Sequence, residues 1–166
     1  MKTKHVVFSS AGFGWCGVAG GQNGLLRVFL PEPDRFLVCK KIKKAYPFSV
    51  FSNVCFEKEV RQLEKYFSGV KQAFSFNLDF MHATEFQIDV WNATSEIPYG
   101  EVRSYSWVAS IIGKPQATRA VGNALGRNPF PVIIPCHRVV RKNGSTGGFS
   151  AAAGLKEKLL DMEAGL

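Results

Sequence analysis

Short apolar runs separated by glycine occupy the first thirty residues and predict a small β-sheet. The runs cover 5–8, 14–18 and 25–30, and each is rich in Val, Phe, Leu or Trp. Asn23-Gly24 lies between the last two runs, and this dipeptide favours the tight turn of a β-hairpin. The pattern therefore predicts three short strands connected by tight turns.

Further along the chain, apolar residues recur at the spacing of a helix. Residues 57–68 place Leu63 and Tyr66 on one apolar face, which predicts an amphipathic helix that ends at Gly69. The preceding stretch, 34–52, has no clear period and stays unassigned, and we expect its lysine cluster to be a solvated surface. Strands followed by one helix predict a small N-terminal α+β unit.

A second set of helical signals begins near residue 83. Thr84 and Gln87 have the spacing of a capping box, which predicts the start of a helix. Ser104 can cap another helix, and a third is predicted from Gln116 to about Leu125. The chain is therefore predicted to be α+β, with an N-terminal α+β domain at 1–82 and a mainly helical C-terminal domain at 83–166.

Two of these helices, joined by a Gly-Lys-Pro turn, have the pattern of a helix-turn-helix over about 104–126. Many helical hairpins bind nothing, so the pattern alone is moderately specific. Small residues on the second helix, such as Ala120 and Gly122, would let a partner backbone approach closely. Tight packing against another helix of the same chain explains the same residues, and both can hold.

The segment 134–139, with the sequence Ile-Pro-Cys-His-Arg-Val, carries the chemistry that stands out most. Cys136 follows an apolar, proline-rich stretch that we interpret as buried and extended, and a histidine and an arginine come directly after it. Nearby cationic groups favour the nucleophilic thiolate, although a core cysteine is the ordinary alternative. Because neighbouring side chains of an extended segment point to opposite sides, a water between Cys136 and His137 is easier than a direct contact.

Composition narrows the class of protein. The chain has 166 residues, of which 46% are hydrophobic, and no apolar stretch approaches the roughly 20 residues that span a bilayer. The N-terminal residues lack the apolar block of a signal peptide. Four cysteines without CxxC spacing suit a reducing cytoplasm, and without a local ligand pair we expect no metal site and no cofactor.

Charge points to an anionic partner. The formal net charge is +8, and the stretch 103–142 contains seven basic residues and no acidic one. A long stretch of single-sign charge around the candidate thiol is typical of a nucleic-acid-binding surface. A solvated basic face without a partner remains the alternative on charge alone.

Taken together, the motifs resemble the O6-alkylguanine-DNA alkyltransferase family, the single-use DNA-repair proteins. The resemblance covers essentially all of 84–166 and is highly specific. The residues that carry it are Ile97-Pro98-Tyr99-Gly100-Glu101-Val102, Ser104-Tyr105, Arg119-Ala120-Val121-Gly122-Asn123-Ala124, Asn128-Pro129, Ile134-Pro135-Cys136-His137-Arg138-Val139-Val140, Gly147-Gly148-Phe149-Ser150, Lys156, Leu159-Leu160 and Glu163.

The resemblance implies direct, irreversible transfer of an alkyl group from O6-alkylguanine, and possibly O4-alkylthymine, in double-stranded DNA to the protein's own cysteine. It also implies a ribonuclease-H-like N-terminal unit and base flipping through a helix-turn-helix in the minor groove. We expect a monomer in the cytoplasm, associated with DNA, with no membrane partner.

Catalytic roles follow from the resemblance, residue by residue. Cys136 would accept the alkyl group. His137 would take its proton through a water, and Glu163 would orient His137. Tyr105 would donate a hydrogen bond to the guanine leaving group and crowd the phosphate that rotates during flipping. Asn128 would brace the turn that precedes the cysteine segment.

Binding roles follow in the same way. Backbone carbonyls of Cys136 and Val139 would contact the exocyclic amine of guanine, Ser150 would reach the guanine oxygen, and Phe149 would form an apolar wall of the pocket. Arg119 would fill the space left by the flipped base. The residues expected to contact DNA are Tyr105, Thr118, Arg119, Ala120, Gly122, Asn123 and Lys142.

Three other functions are compatible with parts of the pattern. A non-catalytic module that binds alkylated DNA would share the scaffold, but such proteins replace the cysteine. A thiol hydrolase could use Cys136 and His137, yet no oxyanion hole is evident and a helix-turn-helix is not needed. A plain DNA-binding regulator would not need an activated thiol.

Overall fold

Three strands of the N-terminal sheet form an antiparallel ribbon. β1 (Lys4–Ser10) pairs with β2 (Gly14–Gly21), which pairs with β3 (Gly24–Glu32) across the predicted Asn-Gly turn. A two-residue strand, β4 (Val50–Phe51), adds to the other side of β1 in parallel, so the sheet is mixed with the order β3-β2-β1-β4. The three predicted strands are confirmed, and each is longer than its apolar run.

The structure is a computed structural model that describes residues 2–146 and 154–165. The chain divides into two compact units, Met1–Asp79 and Phe80–Leu166, and the sheet belongs to the first. No helix among the described residues is long and apolar enough to span a membrane.

The first helix, α1 (Arg35–Ala45), lies in the stretch that the sequence left unassigned. The side chain of Asp34 caps it by accepting a hydrogen bond from the backbone N–H of Phe36. Val38 and Ile42 on the helix are fully buried and pack against the sheet. A Cβ added at Gly17 would lie 2.9 Å from Cγ1 of Val38 and 2.9 Å from Cδ1 of Ile42. The close approach of helix and sheet therefore depends on a glycine there.

The second helix, α2 (Glu57–Phe67), confirms the amphipathic prediction. Leu63 and Tyr66 are fully buried, and the chain turns at Gly69, where φ is +85°. A positive φ is accessible to glycine at little cost, which explains why the helix ends there. This unit is therefore the α+β unit that the sequence predicts.

The second unit is mainly helical in its described part. Its α-helices are α3 (Glu85–Ser95), α4 (Tyr105–Ile111), α5 (Thr118–Gly126) and α6 (Leu155–Ala164). The capping box of Thr84 and Gln87 at the start of α3 is present as predicted, and Ser104 caps α4. The predicted start of the third helix at Gln116 was wrong, since α5 begins two residues later, after a turn closed by Ala117 N–H and the carbonyl of Lys114.

A short parallel ladder joins distant parts of this unit. β5 (Arg103–Ser104) precedes α4 directly, and β6 (Val139–Val140) follows the cysteine. Ser104 pairs with Val140, and the two strands are parallel. The residues that follow each strand therefore begin as neighbours. Trp91 of α3 donates a hydrogen bond from Nε1 to the carbonyl of Ala124 in α5 at 3.0 Å, which ties these two helices together.

The stretch before the cysteine is buried but not extended, which corrects the sequence prediction. The carbonyl of Phe130 accepts a hydrogen bond from Ile134 N–H at 2.8 Å, closing a turn. Inside this turn Val132 has a φ of +75°, which is rare for a β-branched residue. A 3₁₀ helix, Cys136–Arg138, follows. Because the backbone turns here, the alternation of neighbouring side chains expected for an extended segment does not apply to Cys136 and its neighbour.

The turn between β2 and β3 yields a stability prediction. Gly24 has a φ of +127°, and a Cβ there would lie 2.1 Å from the carbonyl oxygen of Asn77. That oxygen accepts a hydrogen bond from Leu25 N–H at 2.8 Å, so it cannot shift without losing a partner. We expect Gly24→Ala to lower the free energy of unfolding by about 1–3 kcal/mol or more, measured by chemical denaturation.

Gly21 gives the matched control for this substitution. It ends β2, and a Cβ there would have no atom within 4 Å. We expect Gly21→Ala to leave the free energy of unfolding within about 0.5 kcal/mol of the original. Equal stability of the two variants would contradict the close contact between Gly24 and Asn77.

Candidate active site

Cys136 lies at the start of the 3₁₀ helix, with 7% of its surface exposed. The side chain of Asn128 holds the chain before it in place. Its Nδ2 donates to the carbonyl of Ile134 at 2.9 Å, and its Oδ1 accepts from Phe130 N–H at 2.8 Å. One amide side chain therefore fixes both ends of the turn that leads to the thiol.

The protonation state of this thiol depends on opposing effects. Burial raises the pKa of Cys136, because a thiolate loses its hydration there. A hydrogen bond with Asn128, the positive charge of Lys156, and the backbone N–H groups of Cys136 and His137 act in the other direction and lower the pKa. The thiol is therefore protonated at rest, but the groups that stabilise its anion are already in position.

Lys156 is a buried cation beside the thiol. Only 2% of its surface is exposed, and its Nζ donates a hydrogen bond to the carbonyl of Val139 at 2.5 Å. Burial lowers the pKa of Lys156, whereas the neighbouring Cys136 raises it. The same Nζ lies 5.9 Å from the centroid of the Tyr105 ring. Lys156 is one of the residues that carry the family resemblance, but no role was predicted for it.

His137 and Glu163 form a buried pair. Nε2 of His137 lies 2.9 Å from Oε1 of Glu163, and both side chains are fully buried. Burial is the main cause that lowers the pKa of His137, although the carboxylate of Glu163 raises it. A neutral imidazole bonded to a carboxylate carries its hydrogen on the bonded nitrogen, which makes Nδ1 the basic one. The arrangement suits a general base that a carboxylate orients.

Arg138 completes this cluster and was not predicted as a site residue. Its Nε donates to Oε2 of Glu163 and its Nη2 to Oε1, each at 2.9 Å, and its Nη1 donates to the carbonyl of Ile97 at 2.7 Å. Gly100 N–H donates to Oε2 of Glu163 at 3.1 Å. The carboxylate is therefore held by Arg138, His137 and the backbone of the Pro-Tyr-Gly turn.

Tyr105 is the first residue of α4 and is half-buried. Burial is the main cause that raises the pKa of its phenol, the nearby Cys136 adds to this effect, and the charge of Arg141 opposes it. A Cβ added at Gly122 of α5 would lie 3.8 Å from the Tyr105 ring, which is ordinary contact. A neutral phenol close to the thiol can donate a hydrogen bond to a reacting group.

A cavity of about 570 Å³ opens beside Tyr105. Its lining residues all belong to the second unit, and they are Tyr105, Thr118, Arg119, Gly122 and Arg141. Four of these five are among the residues that we expect to contact DNA. Arg141 is the fifth, and it belongs to the basic stretch 103–142 without a predicted role of its own.

The remaining predicted residues lie elsewhere. Ala120, Asn123 and Lys142 are exposed and do not line the cavity. The carbonyl of Val139, expected to contact the guanine amine, already accepts from Lys156, and a carbonyl oxygen can accept a second hydrogen bond. Phe149 and Ser150 lie outside the described residues. Over residues 2–146 and 154–165, no group of three His, Cys, Asp or Glu side chains could hold a metal ion.

Several known proteins are similar to this chain in sequence. A family model described as 6-O-methylguanine DNA methyltransferase, DNA binding domain, matches residues 85–165. A methylated-DNA–protein-cysteine methyltransferase of Methanosarcina acetivorans is 45% identical over 147 residues, which cover 88% of this chain and 89% of the relative. The constitutive protein of the same name from Bacillus subtilis is 37% identical over 147 residues, covering 88% and 87%.

Solved structures are similar over nearly the whole chain. A crystal structure of Mycobacterium tuberculosis OGT in complex with DNA has a TM-score of 0.83 and 34% identity, covering 98% of this chain and 93% of that one. A structure of O6-methylguanine-DNA methyltransferase from Pyrococcus kodakaraensis has a TM-score of 0.74 and 24% identity, covering 97% and 98%, and shows the shared fold. This chain belongs to the methylated-DNA–protein-cysteine methyltransferase family.

Proposed function

We propose that the protein repairs DNA by transferring an alkyl group from O6-alkylguanine in double-stranded DNA to its own Cys136, irreversibly and once per molecule. The observation that carries this proposal is a buried thiol surrounded by the groups that stabilise its anion, next to an oriented His-Glu pair. Its relatives are named for methyl transfer between methylated DNA and a protein cysteine. We place this activity in a C-terminal domain at 83–166.

Deprotonation of the thiol is the first chemical requirement, because the thiolate is the nucleophile. In our proposal a water passes the proton of Cys136 to His137, whose hydrogen bond to Glu163 stabilises the resulting imidazolium. The positive charge of Lys156 offsets the negative charge of the thiolate. The buried setting makes both electrostatic effects stronger than they would be in water.

Departure of the guanine is the second requirement. The thiolate sulfur forms a bond to the alkyl carbon as the bond from that carbon to the guanine oxygen breaks, and the base leaves with the electron pair. Negative charge then develops on the base, so a hydrogen bond from the Tyr105 phenol lowers the barrier as general acid catalysis does. Its raised pKa keeps the phenol neutral and able to donate.

Single use follows from the product. An S-alkyl cysteine is a thioether without an acyl carbon that water could attack, and no described group provides a route back to the thiol. Each molecule can therefore accept one alkyl group. We propose that the protein acts as a monomer.

Access to the lesion requires that the nucleotide leave the base stack, because the alkyl carbon is shielded in a duplex. We propose that α4 and α5 act as a helix-turn-helix in the minor groove and that Arg119 fills the space left by the flipped base. Thr118, Ala120 and Asn123 on α5 would contact the groove with Lys142 nearby. The exposure of these side chains supports such a surface.

We further propose a ribonuclease-H-like topology for the N-terminal sheet.

Mass spectrometry tests the proposal directly. After the protein is mixed with a duplex that contains O6-methylguanine, we expect one methyl group on the peptide that contains Cys136 and no more than one per chain. Cys136→Ala should accept none and still bind the duplex. Cys39→Ala, which removes a partly exposed cysteine of the other unit, is the matched control and should be methylated normally.

Two outcomes would contradict the proposal in different ways. A methyl group found on another residue, or on Cys136→Ala, would show that Cys136 is not the acceptor. Tight lesion binding by the unmodified protein without any gain in mass would favour the non-catalytic recognition module.

Lys156 yields a prediction with a pH readout. Its positive charge lowers the pKa of Cys136, so Lys156→Met should raise that pKa and reduce the thiolate fraction at neutral pH. We expect the single-turnover methyl-transfer rate at pH 7 to fall about tenfold or more, with the deficit shrinking as the pH rises. Rates measured from pH 6 to pH 10 would show the profile shifted to higher pH.

Lys158→Met on the exposed face of the same helix is the control, and its pH profile should match that of the original protein. A lower rate for Lys156→Met at every pH, with an unshifted profile, would assign Lys156 a purely structural role. Thermal unfolding of both variants checks that each is folded.

A further inference from the structure

Two guanidinium groups share the cavity beside Tyr105. Arg119 comes from the first turn of α5, and Arg141 comes from the residue directly after β6. Neither side chain forms an ion pair with any described carboxylate, and the stretch 103–142 contains no acidic residue. The cavity therefore carries more positive charge than one inserted arginine accounts for.

The parallel ladder determines where Arg141 lies. Ser104 of β5 pairs with Val140 of β6, and the two strands run in the same direction. The next residues, Tyr105 and Arg141, consequently leave the ladder as neighbours. Both side chains line the same cavity.

A tight turn fixes the backbone of Arg141. Its N–H donates to the carbonyl of Ser145 and its carbonyl accepts from Gly144 N–H, each at 2.9 Å. Oδ1 of Asn143 accepts from both the N–H and the hydroxyl of Ser145, at 3.1 and 2.8 Å. An exposed arginine on a fixed backbone, beside a proton-donating phenol, is well placed to bind a ligand.

We propose that Arg141 is an anion-binding residue of the substrate pocket, whose guanidinium binds an oxyanion of the lesion-bearing DNA next to Tyr105. The inference rests on the function proposed above. A guanidinium binds phosphate and carboxylate through paired hydrogen bonds, so two sources share this chemistry. One is a backbone phosphate adjacent to the flipped nucleotide, and the other is a carboxylate carried by the alkyl group.

These sources have different consequences for specificity. Binding of a phosphate would assist every lesion equally, because each flipped nucleotide brings its own phosphates. Binding of an alkyl carboxylate would instead favour carboxyalkyl adducts over methyl adducts, since a methyl group offers no anion. Arg141 would then determine which alkyl groups this protein removes fastest.

Three duplexes of identical sequence separate the sources. One contains O6-methylguanine, the second contains the same lesion flanked by neutral methylphosphonate linkages, and the third contains O6-carboxymethylguanine. Second-order rate constants for alkyl transfer are measured for the original protein, Arg141→Gln and Arg141→Lys. Lys58→Gln, which removes an exposed charge of α2 in the other unit, controls for the loss of one positive charge.

For a phosphate, we expect Arg141→Gln to react about tenfold more slowly with the first and third duplexes and to show no deficit with the methylphosphonate duplex. For a carboxylate, the deficit should appear with the carboxymethyl lesion alone. Arg141→Lys should recover part of the rate in either case, because it keeps the charge, and Lys58→Gln should match the original protein.

Equal rates for Arg141→Gln and the original protein on all three duplexes would overturn the inference. An equal deficit on all three would also overturn it, because a lost contact with an anion cannot slow a substrate that lacks that anion. Failure of the proposed function has a separate signature, since the original protein would then transfer no methyl group from the first duplex.

Discussion

The carboxylate of Glu163 connects the parts of the site that are far apart in the sequence. Its two oxygens accept hydrogen bonds from Arg138, His137 and the backbone of Gly100. A buried carboxylate is costly unless such partners surround it, so helix α6 can dock only where they are present. The position of α6 in turn sets the position of Lys156, two turns earlier on the same helix. Orientation of the base and charge near the thiol thus depend on one ion-pair cluster.

The site balances burial against charge. Burial of Cys136 opposes ionisation, while Lys156, Asn128 and backbone N–H groups favour it. Burial prevails at rest and keeps the thiol protonated, so it is not open to side reactions, while the groups that stabilise its anion are already in position. A protein that can react only once benefits from this balance, because each reaction with a wrong electrophile removes a molecule from use.

Local signals predicted much of the fold. The capping box at Thr84, the turn at Asn23-Gly24 and the helix stop at Gly69 depend on neighbouring residues, so the sequence alone was sufficient. α1 was missed because only two of its residues, Val38 and Ile42, are fully buried. Its apolar residues therefore show only weak helical periodicity. The turn before Cys136 was wrongly predicted as extended. A positive φ at a β-branched residue such as Val132 is rare, and the hydrogen bonds of Asn128 that hold the turn leave no periodic pattern in the sequence.

Some residues of the candidate site could be predicted from the sequence, and others could not. Motif and resemblance singled out His137 and Glu163, which are in contact, and three α5 residues that line the cavity. Arg138 and Lys156 received no role, because long charged side chains are usually solvated and nothing local shows that they are buried. Their burial depends on partners such as Ile97, which lies 41 residues from Arg138. A charged residue inside an otherwise apolar helix face is the one signal that could have drawn attention to Lys156.

The long sequence separations within the Glu163 cluster have a consequence for folding. Gly100 and Glu163 are 63 residues apart, and His137 and Glu163 are 26 apart. Contacts of this kind carry a large loop-closure entropy and form only when distant segments meet. While the chain is still incomplete or partly folded, Cys136 has neither Lys156 beside it nor an oriented base. A nascent chain that lacks α6 therefore carries an ordinary cysteine, and the activated nucleophile exists only after α6 has docked.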